Sequence, residues 1–254
     1  MSRRSVSVSD PSRWVFNRLA GDYRRRPGYP PALSARLLEL AGGPGARVAD
    51  LGAGTGHLAI PLARLGARVH AVEPARRMLE VLASDAEGLS VEPVHAAAEE
   101  TGLAAGAFDL VLVADALQWV DPERCGREVA RLLAPGGALA VVVPTLADTP
   151  FLRALRELLA RANARAQPRP PPVALLASVA GLPPPEAERF EHEIALDDEA
   201  LSAVIRSLSY AGPALGPEDL DRVLSDARAL ARAHGGAVWR RHVVLERTRR
   251  PMHP

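Results

Sequence analysis

The chain contains no lysine, since all 31 of its basic residues are arginine. That absence excludes a Schiff-base lysine, a lysine general base and the phosphate-gripping lysine of a Walker-type loop. Cysteine is limited to Cys125, so an internal disulfide and a cysteine-rich zinc site are both out of reach. Cys125 could still be a nucleophile, but its neighbours read as an ordinary helix. No apolar run approaches the roughly 20 residues that a membrane helix needs. The N-terminal MSRRSVSVSDPSR has no signal-peptide core, and the expectation is a cytoplasmic protein without a membrane partner.

What is present describes a globular chain. Of 254 residues, 48% are apolar and 24% charged, enough for one sizeable core and too apolar for disorder. Net charge is only +1, yet residues 1–30 carry seven Arg against two acids, and 237–254 carry five against one. Nucleic acid is therefore not an expected partner, and the basic ends belong on solvent or near an anionic ligand.

From Pro30 to Val143 short β-like runs alternate with helical ones, the pattern of a parallel sheet covered by helices. The spacing predicts strands at 47–51, 68–73, 90–95, 108–114 and 138–143. Helices are predicted at 31–41, 57–65, 74–86 and 123–133, the last capped by Asp121-Pro122 and ended by Pro135-Gly136-Gly137. Beyond lie an Arg-rich helix at 151–166, a stiff proline connection at 167–172, a strand at 190–196, helices at 198–209 and 217–233, and a strand at 237–247.

The strongest local signal is Val48-Ala49-Asp50-Leu51-Gly52-Ala53-Gly54-Thr55-Gly56, a strand ending in an acid and a glycine loop that opens a helix. Such a loop lets a ligand approach the backbone, and the helix start offers free N–H groups. The spacing is GxGxG, with His57 where a dinucleotide fold would place a third glycine. Glu73, 21 residues after Gly52, ends the second strand, where a carboxylate can accept both hydroxyls of an adenosine ribose.

These residues resemble the class I S-adenosylmethionine-dependent methyltransferases, whose acid-x-Gly-x-Gly-x-Gly motif is matched at Asp50–Gly56. The resemblance extends to the methyltransferase type 11, trans-aconitate-methyltransferase-like subgroup. Phe16-Asn17 through Tyr23, Arg26-Pro27-Gly28-Tyr29-Pro30, His95–Leu103, Ala114–Asp121 and Ser207–Tyr210 are similar to its segments. It implies an α/β, Rossmann-like seven-stranded sheet, with an N-terminal lid segment over 1–30, a core over 31–145 and 187–254, and a helical cap insertion at 146–186.

The resemblance also implies S-adenosylmethionine as cofactor and S-adenosylhomocysteine as product. The cofactor contacts it implies are Tyr23, Arg26, Asp50, Gly52, Ala53, Gly54, Gly56, Glu73, Pro74, Met78, Ala98, Glu99, Ala114 and Leu117. Gln118, Trp119, Tyr23 and His57 are the candidates nearest the chemistry. The subgroup commonly has His-Trp where this chain has Gln118-Trp119, and glutamine positions a substrate but takes no proton.

Each candidate has a plainer alternative: a first-turn helix residue for His57, a satisfied strand end for His95, and core packing for Trp119. Tyr23, Arg26 and Tyr29 either pack the N-terminal segment or close it as a lid. Glu191-His192-Glu193 reads as a solvated strand face, and no metal site is expected. The expected acceptor is a small or medium organic molecule met by the lid, 115–120, 145–151 and the cap. All-arginine usage with abundant Ala and Pro suggests a GC-rich bacterial genome, where the subgroup often modifies secondary metabolites. Two alternatives stay open: the same fold using S-adenosylmethionine for a non-methylating reaction such as cyclisation, and a non-catalytic binding module. The sequence leaves the oligomeric state open.

Overall fold

The computed structural model describes residues 11–163 and 172–252, the side chains of 11–14 excepted. The central strands are β1 (Arg47–Leu51), β2 (Arg68–Val72), β3 (Val91–Val94), β4 (Phe108–Ala114) and β5 (Leu133–Leu146). They pair in parallel, and β6 (Glu186–Leu196) and β7 (Ala237–Arg249) complete a seven-stranded sheet ordered β3-β2-β1-β4-β5-β7-β6. Strand β7 runs antiparallel to both of its neighbours. Strands β1 and β4 are almost wholly buried, which is why they read as continuous apolar runs rather than alternating ones.

The helices are α1 (Pro11–Tyr23), α2 (Pro31–Ala41), α3 (Ala59–Arg64), α4 (Arg76–Asp85), α5 (Pro122–Leu132), α6 (Pro150–Ala162), α7 (Val173–Val179), α8 (Asp198–Ser207) and α9 (Pro217–Ala233). Leu33, Leu37 and Leu40 give α2 its buried stripe, and together with Ala59 and Leu62 of α3 they pack on the sheet. Helices α5 and α7 share a second cluster, through Cys125, Val129, Leu132, Val173 and Leu176. A third core joins α6, α8 and α9 to Trp239 at the start of β7. Caps set several helix starts: Asp121 accepts from the amides of Glu123 and Arg124, Thr149 from Leu152 and Asp197 from Ala200.

The structure departs from the sequence reading in local ways. Pro135-Gly136-Gly137 does not form a turn after α5, because β5 begins at once with Leu133 paired to Phe108. A register shift between Phe108 and Leu110 absorbs the irregular backbone. Helix α3 starts at Ala59 rather than His57 because the glycine loop continues as turns to Leu58. Strand β6 starts four residues early, at Glu186, held by pairing with Arg247. Within the expected cap, α7 lies against α5, while α6 stands at the carboxyl ends of the strands. The helix expected at 151–166 ends at Ala162; residues 164–166, and all of 167–172 but Pro172, lie outside the described residues. No helix among the described residues is long and apolar enough to cross a membrane.

Candidate active site

A cavity of about 260 Å³ opens where β1, β4 and β5 end and β7 begins, the position at which open α/β sheets bind ligands. The glycine loop forms its floor. Gly52 sits at φ +79°, where a side chain would be strained, and a Cβ there would fall 2.7 Å from that of Ala116. Its amide and that of Ala53 donate to the Val72 carbonyl at 2.8 and 3.0 Å, tying the loop to the end of β2.

The carboxylate of Glu73 is fixed from both sides, accepting from Gly54 N at 2.9 Å and Ala75 N at 2.8 Å. Glu73 lines the cavity, and each carboxylate oxygen can accept more than one hydrogen bond. Asp50 lies beneath the loop, 2% exposed, and its Oδ1 has no hydrogen-bond partner among the described residues. Burial first, and then the charge of Glu73, pushes its pKa up to about 7. A pinned carboxylate beside the exposed backbone of Gly52 and Gly54, with a buried acid behind the loop, suits a ligand carrying a diol and a cationic group, and S-adenosylmethionine carries both.

Pro74 and Met78 continue the cavity wall from β2, and Ala98 and Glu99 face it from the connection after β3. Glu99 Oε1 accepts from Asp121 N at 2.9 Å, which joins this wall to the start of α5. Ala114 also lines the cavity, whereas Asp50, Ala53, Gly56, Leu117 and His57 stand behind its surface.

Helix α1 is clasped by the core. Leu19 and Ala20 pack on Ala75 and Met78, Asn17 accepts from Arg77 N at 2.9 Å, Arg24 reaches Asp85 at 2.6 Å and Arg25 pairs with Glu199. Phe16, midway along the helix, stands edge-on to Trp119 with centroids 5.1 Å apart, and Tyr23 ends it. The Arg26 guanidinium stacks 4.1 Å from the Tyr23 centroid and donates to Ser207 Oγ at 2.6 Å and Ser207 O at 2.8 Å. His57 Nε2 meets the Arg26 carbonyl at 3.1 Å, so that nitrogen bears the proton. Burial, helped by the nearby Arg26 charge, lowers the His57 pKa to about 4. His57 is thus a neutral donor holding the N-terminal segment from below. His95 Nε2 likewise donates to the Pro74 carbonyl, at 3.1 Å.

Sequence reasoning assigned acceptor contacts to 115–120, 145–151 and the cap without singling out Asp115, Leu155 or Leu159, and gave no role to Val204, Trp239 or Arg241. Asp115 has φ +49°, the single non-glycine residue with positive φ among those described, a strain typical of functional turns. It lies 3.9 Å from Arg26, and burial raises its pKa against that charge. Gln118 Nε2 donates to the Asp115 carbonyl at 3.0 Å. The far wall is apolar: Leu155 and Leu159 of α6, Val204 and Leu208 around the end of α8, and Trp239 of β7. Arg241 lines it as well. One signal was available, for Ala237, Trp239, Arg241, Val243 and Leu245 alternate along one face of β7, and arginine stands where the alternation calls for an apolar residue.

Comparison with known proteins agrees with this geometry. Residues 49–141 match the family model described as a methyltransferase domain. An uncharacterized methyltransferase of Mycobacterium tuberculosis is 36% identical over 249 residues, 93% of this chain and 94% of that protein. A ubiquinone biosynthesis O-methyltransferase of Xanthomonas oryzae is 40% identical over 141 residues, 54% of this chain and 56% of that one. Among solved structures, a putative type II methyltransferase from Anaeromyxobacter dehalogenans has a TM-score of 0.62 at 25% identity, covering 90% of this chain and 99% of that one. The motif, the sheet order and these relatives place the chain in the class I S-adenosylmethionine-dependent methyltransferases.

Proposed function

We propose that the chain binds S-adenosylmethionine over the glycine loop and directs its methyl group to a small or medium organic acceptor held against α6, α8 and β7. One observation carries this reading: a carboxylate pinned by two amides and an apolar chamber open into the same cavity. When bound, the cofactor supplies a methyl group already activated by its sulfonium charge. The protein's part is to bind, orient and exclude water, and orientation alone is worth roughly 7–11 kcal/mol.

Each residue has a part in that work. Glu73 accepts the ribose hydroxyls, and the Asp50 carboxyl, behind the glycine loop, faces the cationic end of the ligand by its charge rather than by direct contact. Phe16, Tyr23 and Trp119 form the water-excluding edge. Gln118, held by its own turn, orients the acceptor by hydrogen bonds and removes no proton. No metal enters this reading, and a bacterial secondary metabolite is the acceptor class it favours.

The segment through Tyr29 acts as a lid completed by the ligand. Amide hydrogen exchange across 15–29 is expected to slow when S-adenosylhomocysteine is added, and identical exchange would remove the lid from the scheme. The function itself is tested by following labelled methyl from S-adenosylmethionine into a panel of small acids, alcohols and amines, with a product heavier by one methylene as the expected outcome. Failure to bind either adenosyl ligand overturns the reading.

A further inference from the structure

Three arginines line the cavity, and two already face a carboxylate. Arg26 lies 3.9 Å from Asp115 Oδ2, and Arg156 is bridged to Asp148 at 2.9 Å. Arg241 has no such partner: among the described residues no carboxylate comes within 4.0 Å of it. Its terminal nitrogen donates to the carbonyls of Pro27, at 3.1 Å, and Gly28, and lies 3.2 Å from His192 Nδ1. All three partners are neutral, since burial and the Arg241 charge hold the His192 pKa below its usual value. The Nε of Arg241 is buried with no hydrogen-bond partner. Burial lowers the Arg241 pKa too, against the opposing pull of Tyr29, whose ring centroid lies 5.5 Å from the guanidinium, and of Asp115 and Tyr23.

A half-buried cation with a buried, unpartnered Nε and no paired charge is an arrangement that an anion would relieve. Its surroundings define the anion. Trp239 shares its face of β7, Leu146 stands opposite on β5, and Leu155, Leu159 and Val204 line the same chamber. We infer that Arg241 receives the carboxylate of an acceptor whose remaining body is apolar. The inference rests on the reading that this chamber holds an acceptor beside the cofactor.

The cofactor brings a carboxylate of its own, and the guanidinium reaches back to the carbonyls of Pro27 and Gly28, so the test distinguishes the two carboxylates, although the backbones that carry the two sites stand apart in the sheet. Strand β7 stands three strands from β1, where the glycine loop begins, a distance of about 14 Å at roughly 4.8 Å per strand.

The test measures, by calorimetry on the full chain, first S-adenosylhomocysteine binding and then binding of two probe pairs to that complex. The pairs are cinnamate with cinnamamide and decanoate with decanamide, each differing only in charge. At least one carboxylate is expected to bind about tenfold or more tightly than its amide, the range of a hydrogen-bonded charge pair. Arg241→Gln should erase that preference while S-adenosylhomocysteine affinity stays, and Arg241→Lys should keep part of it. Equal affinities of acid and amide in both pairs, no carboxylate binding to a complex that holds S-adenosylhomocysteine, or a preference surviving in Arg241→Gln would overturn the inference. So would a selective loss of S-adenosylhomocysteine affinity in that variant, which would assign Arg241 to the cofactor's carboxylate. Absence of S-adenosylhomocysteine binding in the wild type instead overturns the function proposed above. Should Arg241→Gln fail to fold, a preference reduced in Arg241→Lys but kept in Arg156→Gln decides instead, and one lost in Arg156→Gln and kept in Arg241→Lys overturns the inference.

Discussion

The two halves of the cavity are built by opposite means. The half around Glu73 is backbone and short polar contacts: a loop, two amides on one carboxylate, and a buried aspartate. The half around Arg241 is side chains from α6, α8, β5 and β7, mostly apolar but for Thr145, Arg156 and Arg241 itself. A ligand common to a whole family can be met by backbone, whose geometry tolerates few alternatives. A ligand peculiar to one protein is met by side chains that can change without disturbing the sheet. The comparison predicts that damage to each half is felt separately.

The largest separation is expected from Glu73→Ala. It removes the acceptor of two ribose hydroxyls, and hydrogen bonds to charged groups contribute about 1.5–3 kcal/mol each. Calorimetry should show S-adenosylhomocysteine weakened by about a hundredfold or more, while the acid–amide preference at Arg241 persists wherever the ligand can still be saturated. Unchanged affinity would remove Glu73 from the cofactor half.

Next comes Asp50. Its folded pKa of about 7 lies above the ordinary 3.8, so the folded state holds this proton more tightly than the unfolded chain. The stability this contributes is present below about pH 4 and is lost as pH rises toward about 7. At 1.36 kcal/mol per unit, the loss is at most about 4 kcal/mol. Denaturation of the ligand-free protein from pH 4 to 7 should show a decline that Asp50→Asn flattens. S-adenosylhomocysteine should offset the decline by favouring the ionised carboxylate. Parallel profiles for the two proteins would mean that Asp50 is not buried as described.

The same division explains what could be read from the sequence. Asp50, the glycines and Glu73 lie within 24 residues and sit where strands β1 and β2 end, so local pattern and chemistry coincide. All seven strands were legible, because parallel burial leaves continuous apolar runs and the edge strands alternate. The Arg241 half is assembled from residues 146 to 241, and Leu155, Leu159 and Val204 carry ordinary helical spacing that a core residue would share. Asp115 fell within the segment 115–120 expected to meet the acceptor but was not singled out, because its significance lies in a backbone angle, and aspartate in a turn is unremarked in sequence. The start of β5 was missed because Pro135-Gly136-Gly137 has turn chemistry locally, and only pairing with Phe108 overrides it.

A smaller effect is expected at Gly52. A left-handed backbone costs an L residue roughly 1–2 kcal/mol, and the added Cβ would crowd Ala116 at 2.7 Å. Gly52→Ala should therefore lower the melting temperature by several degrees and weaken S-adenosylhomocysteine about tenfold. The probe preference at Arg241 should again be spared. Loss of both functions together would show that the loop and the far wall move as one, and would erase the distinction between the halves.

The smallest effect is expected from chelation. A divalent ion needs several oxygen or nitrogen ligands with lone pairs to give, and among the described residues no group of three His, Cys, Asp or Glu is so placed. The cavity's carboxylates already have work: Glu73 holds two amides, Glu99 accepts from Asp121, and Asp115 lies between Arg26 and Gln118. A sulfonium methyl needs no Lewis acid to be activated, and an acceptor carboxylate held by Arg241 needs no bridging ion. Methyl transfer in EDTA should thus run at the rate measured without it. If EDTA abolished turnover and Mg²⁺ restored it, the acceptor would be held through a metal, and Arg241 would lose the role that distinguishes the two halves of the cavity.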